Sequence, residues 1–416
     1  MLLLNCDTRT LFQKTFLLVT VGMFFCFAQP WNIYFGDLHD HTSLSDGSGT
    51  PEGAFLQARN GKADFLAVTD HSWYGDAEWK RIGEAAQNYT TSTFCGIRGF
   101  EMTAGWGHMN IFNTQWYTDA LPIQAIYDTL AKHPEAIAQW NHPDYYMEPG
   151  SPFFYYSPVY DSIINLLEIY NGKRGVLYEK EYQFALDKGW HVGPTANSDN
   201  HSASWITGYD FRTAILAHTL QRDSLLDAMR NHRTYATMNR NLKIFFAINN
   251  SIMGSVIHDS SSLLMRVSVS DPDTIYNAER IARIIVFCNS GRVVAEKMFD
   301  AHTVDWEYEL NQPRLYQCTY YYVKVINNDG DHAITAPVWI EGKWIEPDKP
   351  VQPPPPVKID RFLFDLQGRQ VALVDINGDT RLPRNVSSGI YVQKEQKCQT
   401  TQEHKMLFIQ NADSHR

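Results

Sequence analysis

Short apolar runs alternate with amphipathic stretches between residues 31 and 245. The apolar runs predict β-strands, and several of the intervening stretches carry apolar residues at helical spacing. Strands are expected at 33–38, 65–68, 94–100, 137–140, 163–169, 191–195 and 213–217, and helices at 53–60, 77–86, 123–132, 179–188 and 223–231. Strand–helix–strand repetition indicates a parallel sheet, and about seven such units favour closure into an α/β barrel.

A pattern with period two begins at about residue 246. Met265, Val267 and Val269 alternate with polar neighbours, and strand-like runs follow at 283–287, 293–298, 320–326 and 336–340. Turn-forming Asp, Asn, Gly and Pro residues separate these runs. We therefore expect residues 246–345 to form a small Ig-like β-sandwich.

A proline-rich stretch precedes the last part of the chain. Residues 346–357 include four consecutive prolines, Pro353 to Pro356. Such a composition predicts an extended, semi-rigid linker. A small C-terminal β domain is expected after it, at 358–416.

The N-terminal residues have the features of an export signal. Arg9 and Lys14 supply positive charge, residues 15–28 are uncharged and mostly apolar, and small residues precede the end at Ala28. The run is shorter than the roughly 20 residues of a membrane span. The prediction is a signal peptide at 1–28 and a secreted or cell-surface protein with no integral membrane span in its mature form. A short membrane anchor stays open as the alternative.

Charge and cysteine content narrow the functional classes. The formal net charge is −10 and no strong Lys/Arg run occurs, so a nucleic acid polymer is not the expected partner. Bound metal ions would still allow an acidic chain to act on anions. Among the six cysteines, none has the CxxC spacing of a thiolate zinc site. Cys288 and Cys318 fall in one predicted β domain, but spacing alone leaves their pairing open.

Histidines and carboxylates follow the predicted strands one after another. The carboxyl ends of the strands of a parallel barrel open onto one face, so these side chains should meet there. Imidazole and carboxylate are ligands for zinc, iron and manganese. The candidate metal ligands are His39, His41, Asp46, His71, Glu101, His108, His142, Asp199 and His201, and the candidates for proton transfer are Asp70, His201 and His108.

Three residues allow two interpretations each. His108 is either a site residue, as ligand or proton donor, or an ordinary loop histidine. Glu168 is either part of the site or a buried hydrogen-bonding carboxylate. Arg174 is either a partner for a substrate anion or a solvated surface side chain. A serine nucleophile is disfavoured because no Gly-x-Ser-x-Gly elbow occurs.

Residues from about 33 to 240 resemble the PHP (polymerase and histidinol phosphatase) superfamily of metal hydrolases. The resemblance lies in six motifs: Gly36-Asp37-Leu38-His39-Asp40-His41-Thr42, Ser45-Asp46-Gly47, Thr69-Asp70-His71, Gly99-Phe100-Glu101, Asn141-His142-Pro143 and Ser198-Asp199-Asn200-His201. It implies a distorted (β/α)7 TIM-like barrel with two or three divalent ions, Zn, Mn or Fe. It also implies one ion at His39, His41, Glu101 and Asp199, a second at Asp46, His71 and His201, and a third at Glu101 and His142 with His108.

Two further resemblances bear on location. The Asp37-containing opening and the spacing from Glu101 to His108 are similar to an exported, carbaryl-hydrolase-like branch of that superfamily. Residues 364–371 and 388–392, with the ending at 405–409, resemble the sorting domain of type IX secretion cargo. This resemblance implies the secretion machinery as a partner.

The expected function is that of a secreted metal-dependent hydrolase. Two ions about 3.5–4 Å apart could bridge a water molecule, lower its pKa toward roughly 7, and supply hydroxide for attack. The first expected substrate class is a phosphoester of a small molecule, because cations clamp anionic oxygens well. A carbamate, amide or carboxylic ester is the alternative. A non-catalytic, metal-stabilised binding protein on the cell surface is the rival class.

Overall fold

The protein is described here from a computed structural model. The structure describes residues 31–258, 262–311 and 318–341, and the backbone of 360–364, 370–374, 389–397 and 400–409. The chain divides into two compact units, Met1–Trp344 and Ile345–Arg416. The predicted signal peptide at 1–28 and the linker at 346–357 lie outside the described residues.

The first part of the larger unit alternates strands with helices, close to the predicted pattern. Its strands are β1 (Asn32–Asp37), β2 (Phe65–Val68), β3 (Cys95–Ala104), β4 (Gly107–Phe112), β5 (Ile137–Asn141), β6 (Ile164–Asn171), β7 (Val176–Leu177), β8 (Gly193–Asn197), β9 (Arg212–Ala217) and β10 (Thr234–Thr237). Its helices are α1 (Pro51–Asn60), α2 (Asp76–Tyr89), α3 (Ile123–Leu130), α4 (Pro158–Asp161), α5 (Glu179–Asp187) and α6 (Arg222–Arg230).

Local signals place the first helix and the first strand pair. Thr50 caps α1 by accepting a hydrogen bond from the Gly53 amide at 3.1 Å, and Pro51 occupies the first turn. β1 lies against β2 at Gly36, where a Cβ atom would meet the carbonyl oxygen of Phe65 at 2.2 Å. Glycine is therefore required for the close approach of these two strands.

The strands form a mixed, parallel-rich sheet in the order β10-β9-β1-β2-β3-β4-β5-β6, with β8 beside β6. The pairs β1/β2, β2/β3, β5/β6 and β6/β8 are parallel. The sheet differs from the predicted barrel in two respects. β4 was not predicted and is antiparallel to β3 and β5, and β9 is antiparallel to β1.

No closed barrel is found in the described part of the chain. Within 31–258, no backbone ladder joins β8 to β9. Side-chain hydrogen bonds connect the two strands instead: the Ala196 amide donates to Thr213 Oγ1 at 3.0 Å, and that hydroxyl lies 3.0 Å from the Ala196 carbonyl oxygen. The α/β character is confirmed, and the closed (β/α)7 form is not.

Residues 243–341 continue as strands. They are β11 (Lys243–Ile248), β12 (Ser251–Ile252), β13 (Val256–His258), β14 (Ser262–Ser270), β15 (Ile281–Cys288), β16 (Arg292–Ala301), β17 (Thr303–Asn311), β18 (Tyr320–Asn327), β19 (His332–Thr335) and β20 (Val338–Glu341). β12, β11, β14 and β17 form one sheet, whereas β19 pairs with β10 and so extends the first sheet.

The predicted alternation is confirmed in β14, where Met265, Val267 and Val269 are buried. They share one apolar core with residues of β15 and β18, such as Val286 and Val323. The strand layers are thus packed by the hydrophobic effect on their facing sides. Because β19 and β10 belong to one sheet, a separate Ig-like sandwich stays a prediction.

The smaller unit contains β21 (Asp360–Phe364), β22 (Gln370–Val374), β23 (Gly389–Lys397) and β24 (Thr400–Ile409), in the antiparallel order β22-β21-β23-β24. Its sorting role stays a prediction. Among the described residues, no helix combines the length and apolar character that a membrane crossing requires.

Candidate metal centre

The strand ends bring the predicted site residues together. His39 and His41 follow β1, His71 follows β2, and His142 follows β5, while Asp199 and His201 follow β8. Glu101 lies within β3 and His108 within the unpredicted β4, so the pairing of these two strands delivers both side chains.

Imidazole and carboxylate atoms form four groups suited to metal ions. In each group, one ligand atom per residue lies within 4.8 Å of the others. The groups are His41, Asp46, His71 and His201; His39, His41 and Glu101; His39, His142 and Asp199; and His71, Glu101 and His108. All nine predicted metal ligands belong to these groups. The structure therefore brings them together in one cluster of overlapping groups, while their binding of metal stays a prediction.

Glu101 is the centre of this cluster. Its carboxylate is buried, and its oxygens lie 3.0–3.5 Å from ring nitrogens of five histidines: His39, His41, His71, His108 and His142. Burial raises the pKa of Glu101, but the charge of His39 and hydrogen bonds from the imidazoles outweigh burial and hold this pKa well below its usual value. Glu101 is therefore an anion that faces several imidazoles at once.

Asp46 forms the solvent-exposed edge of the cluster. Its Oδ1 atom lies 3.1 Å from His201 Nε2, 3.6 Å from His71 Nε2 and 3.7 Å from His41 Nδ1. The Asp46 side chain is 43% exposed, whereas Glu101 is 1% exposed. Asp46 is thus the most exposed of the nine candidate ligands, followed by His108 and His201.

The contact between His39 and His41 indicates that the cluster suits a cation. Their Nε2 atoms lie 3.2 Å apart, and both side chains are fully buried. Two imidazole nitrogens at this distance need a proton or a cation between them. Burial lowers the pKa of His41, but hydrogen bonds to Asp199 and Glu101 outweigh it and raise this pKa to about 9. The surroundings favour positive charge at this point, so the donor set fits divalent metal ions.

Glu168 supports the cluster from behind. Its Oε1 lies 3.1 Å from His39 Nδ1 and accepts a hydrogen bond from Asn197, while its Oε2 accepts from the His142 amide at 2.8 Å and from Asn171. A carboxylate accepts, so His39 Nδ1 carries the proton and Nε2 is left for the cluster. Of the two interpretations of Glu168, the structure supports the buried hydrogen-bonding carboxylate.

Two further carboxylates were not predicted as functional residues. Asp37 accepts from the His39 amide at 3.0 Å and from the Ser198 amide at 2.9 Å, and Asp40 accepts from Ser198 Oγ at 2.8 Å. Burial raises the pKa of Asp37 to about 6. These bonds tie the segment after β1 to the segment after β8. Their positions next to predicted ligands are the sequence signal that could have identified them.

Two candidate ligands have unusual backbone conformations. His142 has a φ of 25° and Asp199 a φ of 51°, both in the left-handed region. Such conformations cost of order 1–3 kcal/mol and persist only where the surroundings fix them. The bonds from the His142 amide to Glu168, and from Asn171 Nδ2 to Asp199 Oδ2 at 3.2 Å, supply that constraint.

Asp70 does not join the cluster. Its Oδ1 accepts from the Thr42 amide at 2.7 Å and from Ser45 Oγ at 2.6 Å, and its Oδ2 accepts from Thr42 Oγ1 at 2.6 Å. Both oxygens are therefore used to hold the loop that carries Asp46. In this structure Asp70 positions that loop, and its role in proton transfer stays a prediction.

A cationic and an aromatic side chain lie at the rim. Lys173 Nζ is 3.0 Å from His201 Nε2 and 4.0 Å from Asp199 Oδ1, and the side chain is 50% exposed. Trp73 stacks on His71 with a centroid distance of 4.3 Å and is also exposed. Neither was predicted. Arg174 instead donates to Asp144 Oδ2 at 2.6 Å, so its charge is already paired.

Several solved structures are distantly similar to this chain, three of them as follows. A two-domain protein from Bacteroides vulgatus ATCC 8482, described as containing a predicted PHP-like metal-dependent phosphoesterase, is 16% identical over 74% of this chain and 96% of its own, with a TM-score of 0.44. A putative metal-dependent phosphoesterase from Bifidobacterium adolescentis ATCC 15703 is 17% identical over 40% of this chain and 87% of its own, with a TM-score of 0.28. An amidohydrolase from Chromobacterium violaceum with bound sulfate is 14% identical over 40% and 87%, with a TM-score of 0.27.

No protein-family model matches the chain, and no curated protein matches it. With TM-scores of 0.44 and below, the chemistry of this chain has to be decided from its own residues.

Proposed function

We propose that the protein is a metal-dependent hydrolase that acts on phosphoesters of small molecules. The observation that carries this proposal is the cluster of nine histidine and carboxylate side chains around Glu101. A structural zinc site is usually closed at four ligands. Here the ligand atoms exceed the needs of one ion, and one edge is open to solvent at Asp46.

The four groups indicate where two or three divalent ions, Zn, Mn or Fe, would be held. The outer ion would lie among Asp46, His71 and His201, with His41 nearby, and the inner ions would share Glu101, His39 and His41. Such ions activate a water molecule and stabilise charge on phosphoryl oxygens. The grouping differs from the sets implied by resemblance: Asp199 falls with His39 and His142, His41 joins the group of Asp46, and His71 takes the place of His142 beside Glu101 and His108.

The chain's own residues supply orientation and proton transfer. Glu168 holds the proton on His39 Nδ1, so the Nε2 lone pair faces Glu101 and His41. His108 contacts Glu101 through Nδ1 at 3.0 Å and is partly exposed, which suits a proton carrier at its second ring nitrogen. His201, also partly exposed at the open edge, is the second candidate for that step.

Lys173 favours an anionic substrate. Among the described lysine and arginine side chains, it is the Lys173 ammonium that contacts cluster residues. The neighbouring Arg174 is paired with Asp144 instead. Cations held in the cluster would repel this ammonium from His201 and Asp199, and the 50% exposed side chain can extend toward solvent. There it can donate to a phosphoryl oxygen. A neutral carboxylic ester offers no matching charge.

A panel of chromogenic esters tests the proposed function. The full chain, loaded with Mn²⁺ or Zn²⁺, should hydrolyse p-nitrophenyl phosphate or bis-p-nitrophenyl phosphate faster than p-nitrophenyl acetate. Preference for the acetate would favour the carboxylic ester class instead. Absence of turnover of every ester at full metal occupancy would overturn the proposal and favour a binding protein.

Replacement of Lys173 by methionine should raise KM for the phosphate ester about tenfold, because a charge-assisted hydrogen bond is lost. The kcat value and hydrolysis of the acetate should change little. Steady-state kinetics on both esters measures this difference. Lys180→Met, at an exposed lysine on α5, is the matched control. An equal loss on both esters would mean that Lys173 supports the fold rather than the anion.

The setting that we propose is outside the cell. It rests on the charged and apolar pattern of residues 1–28 and on the sorting-like motifs between 364 and 409. The secretion machinery would be the partner at that stage, and a small, phosphorylated molecule would be the substrate.

A further inference from the structure

Two cysteines from separate strands meet away from the metal cluster. Cys288 is the last residue of β15, and Cys318 lies two residues before β18. The two strands are antiparallel neighbours, and Cys288 is paired in register with Tyr321. Both cysteines are fully buried, and each carries a separate thiol in this structure.

One arginine contacts both sulfur atoms. Arg292, the first residue of β16, donates from Nε to Cys288 Sγ at 3.3 Å and from Nη2 to Cys318 Sγ at 2.8 Å. A guanidinium presents these two N–H groups side by side as a rigid fork. Two sulfur atoms on the same fork therefore lie next to each other, and the Cys288 thiol is hydrogen-bonded to Cys318.

The surroundings give the two sulfurs different reactivity. The hydrogen bond from Cys288 lowers the pKa of Cys318 to about 6, with Arg292 adding to this effect against burial. The pKa of Cys288 is raised, first by the same hydrogen bond and then by burial. A thiolate is the nucleophile in disulfide exchange. Cys318 is therefore the attacking sulfur and Cys288 the resolving one.

We propose that Cys288 and Cys318 form a disulfide in the folded protein. The oxidant is a small-molecule disulfide such as glutathione disulfide. The Cys318 thiolate attacks one of its sulfur atoms and expels a glutathione thiolate, which takes up a proton. Cys288 then loses its proton and attacks Cys318 Sγ, which expels the second glutathione as a thiolate that is protonated. Two protein thiols are oxidised and one disulfide is reduced to two thiols, so atoms and electrons balance.

Burial sets the time at which this exchange occurs. Since neither sulfur is accessible in the closed fold, the exchange takes place late in folding or in a local opening, when β15, β16 and β18 already hold Arg292 against both sulfurs but other side chains do not yet cover the pair. The finished bond then lies under packed side chains and resists reductants until the protein unfolds. It joins two neighbouring strands whose connection passes through β16 and β17, which restricts the unfolded chain.

The test uses the full chain, refolded in the presence of glutathione disulfide. The protein is then unfolded without reductant, and iodoacetamide is added to alkylate the thiols that remain free. Peptide mass spectrometry should find the Cys288 and Cys318 peptides linked and two hydrogen atoms lighter than the sum of the separate peptides. Cys95, a buried thiol on β3, should be alkylated and is the internal control. Alkylation of both Cys288 and Cys318 would overturn the proposal, and this outcome is independent of hydrolase activity.

Two further measurements distinguish a specific bond from random oxidation. Reduction of the linked protein should lower Tm by roughly 5–10 °C, whereas Cys318→Ser should show no such response. Arg292→Met should slow formation of the bond several-fold, because the guanidinium that favours the Cys318 thiolate is removed. Linkage of either cysteine to Cys95 at a similar level would contradict a specific pair.

Discussion

Replacing Glu101 with glutamine should reduce kcat/KM for the phosphate ester by more than about 100-fold and release bound metal. Loss of a residue that only supports a metal ligand costs about 10–100-fold, and Glu101 itself lies within 3.5 Å of five imidazoles. Glutamine keeps the size of the side chain but removes the negative charge from a buried site. Steady-state kinetics and elemental analysis of the purified variant measure both effects.

Glu84→Gln is the control for that substitution. Glu84 is an exposed residue of α2 that pairs with Lys80 one helical turn away at 3.3 Å, and such a pair contributes little to stability. Its replacement should leave activity and metal content unchanged. If Glu101→Gln retained metal and more than a tenth of the activity, Glu101 would not be the centre of the site.

Replacing Glu168 with glutamine should weaken metal binding by about 10–100-fold. Glu168 accepts four hydrogen bonds in the core, among them those of His39 Nδ1 and the His142 amide. Glutamine replaces one of the two accepting oxygens with an NH2 group, which cannot accept from the two donors on that side. Either His39 then loses its orientation or His142 loses its backbone support. Competition with a metal chelator at fixed temperature, well below Tm, measures the affinity.

Replacement of a second carboxylate, Asp187, is the control that distinguishes a loss of metal affinity from a loss of general stability. Asp187 accepts from the Ser290 amide, Ser290 Oγ and Tyr320 Oη, and it has no contact with the cluster residues. Asp187→Asn should lower Tm and leave metal affinity unchanged. If Glu168→Gln lowered Tm by a similar amount without loss of metal affinity, Glu168 would serve the fold alone.

The strand-end pattern in the sequence was sufficient to identify the cluster. His39, His71 and Asp199 each follow an apolar run, and a parallel sheet brings such positions to one edge whatever the details of its closure. This is why the nine side chains meet although the sheet is not a closed barrel. The five predicted helices are found within three residues of their predicted bounds, since amphipathic spacing is a local property, whereas the four-residue α4 was not predicted.

Strand direction could not be predicted in the same way. β9 is buried along its whole length, and a buried apolar run has the same composition in a parallel or an antiparallel pair. β4 was not predicted because a two-residue turn at Gly105 and Trp106, rather than a helix, connects β3 to it. The glycines on either side of Trp106 were the available hairpin signal.

The roles of individual charged residues depended on contacts that sequence does not contain. Glu168 and Glu101 both lie on central strands, yet one supports His39 through Nδ1 and the other faces Nε2. Lys173 and Arg174 are adjacent, but Arg174 is paired with Asp144 and Lys173 reaches His201. Differences of one residue in a turn decide which charge faces the site.

Anomalous X-ray scattering from crystals of the full chain grown with Mn²⁺ tests the central claim most directly. Two or three anomalous peaks should lie within coordinating distance of the His, Asp and Glu atoms around Glu101, with one of them at Asp46, His71 and His201. Protein at saturating Mn²⁺ or Zn²⁺ that shows no peak at this cluster, or peaks only elsewhere, would contradict the account.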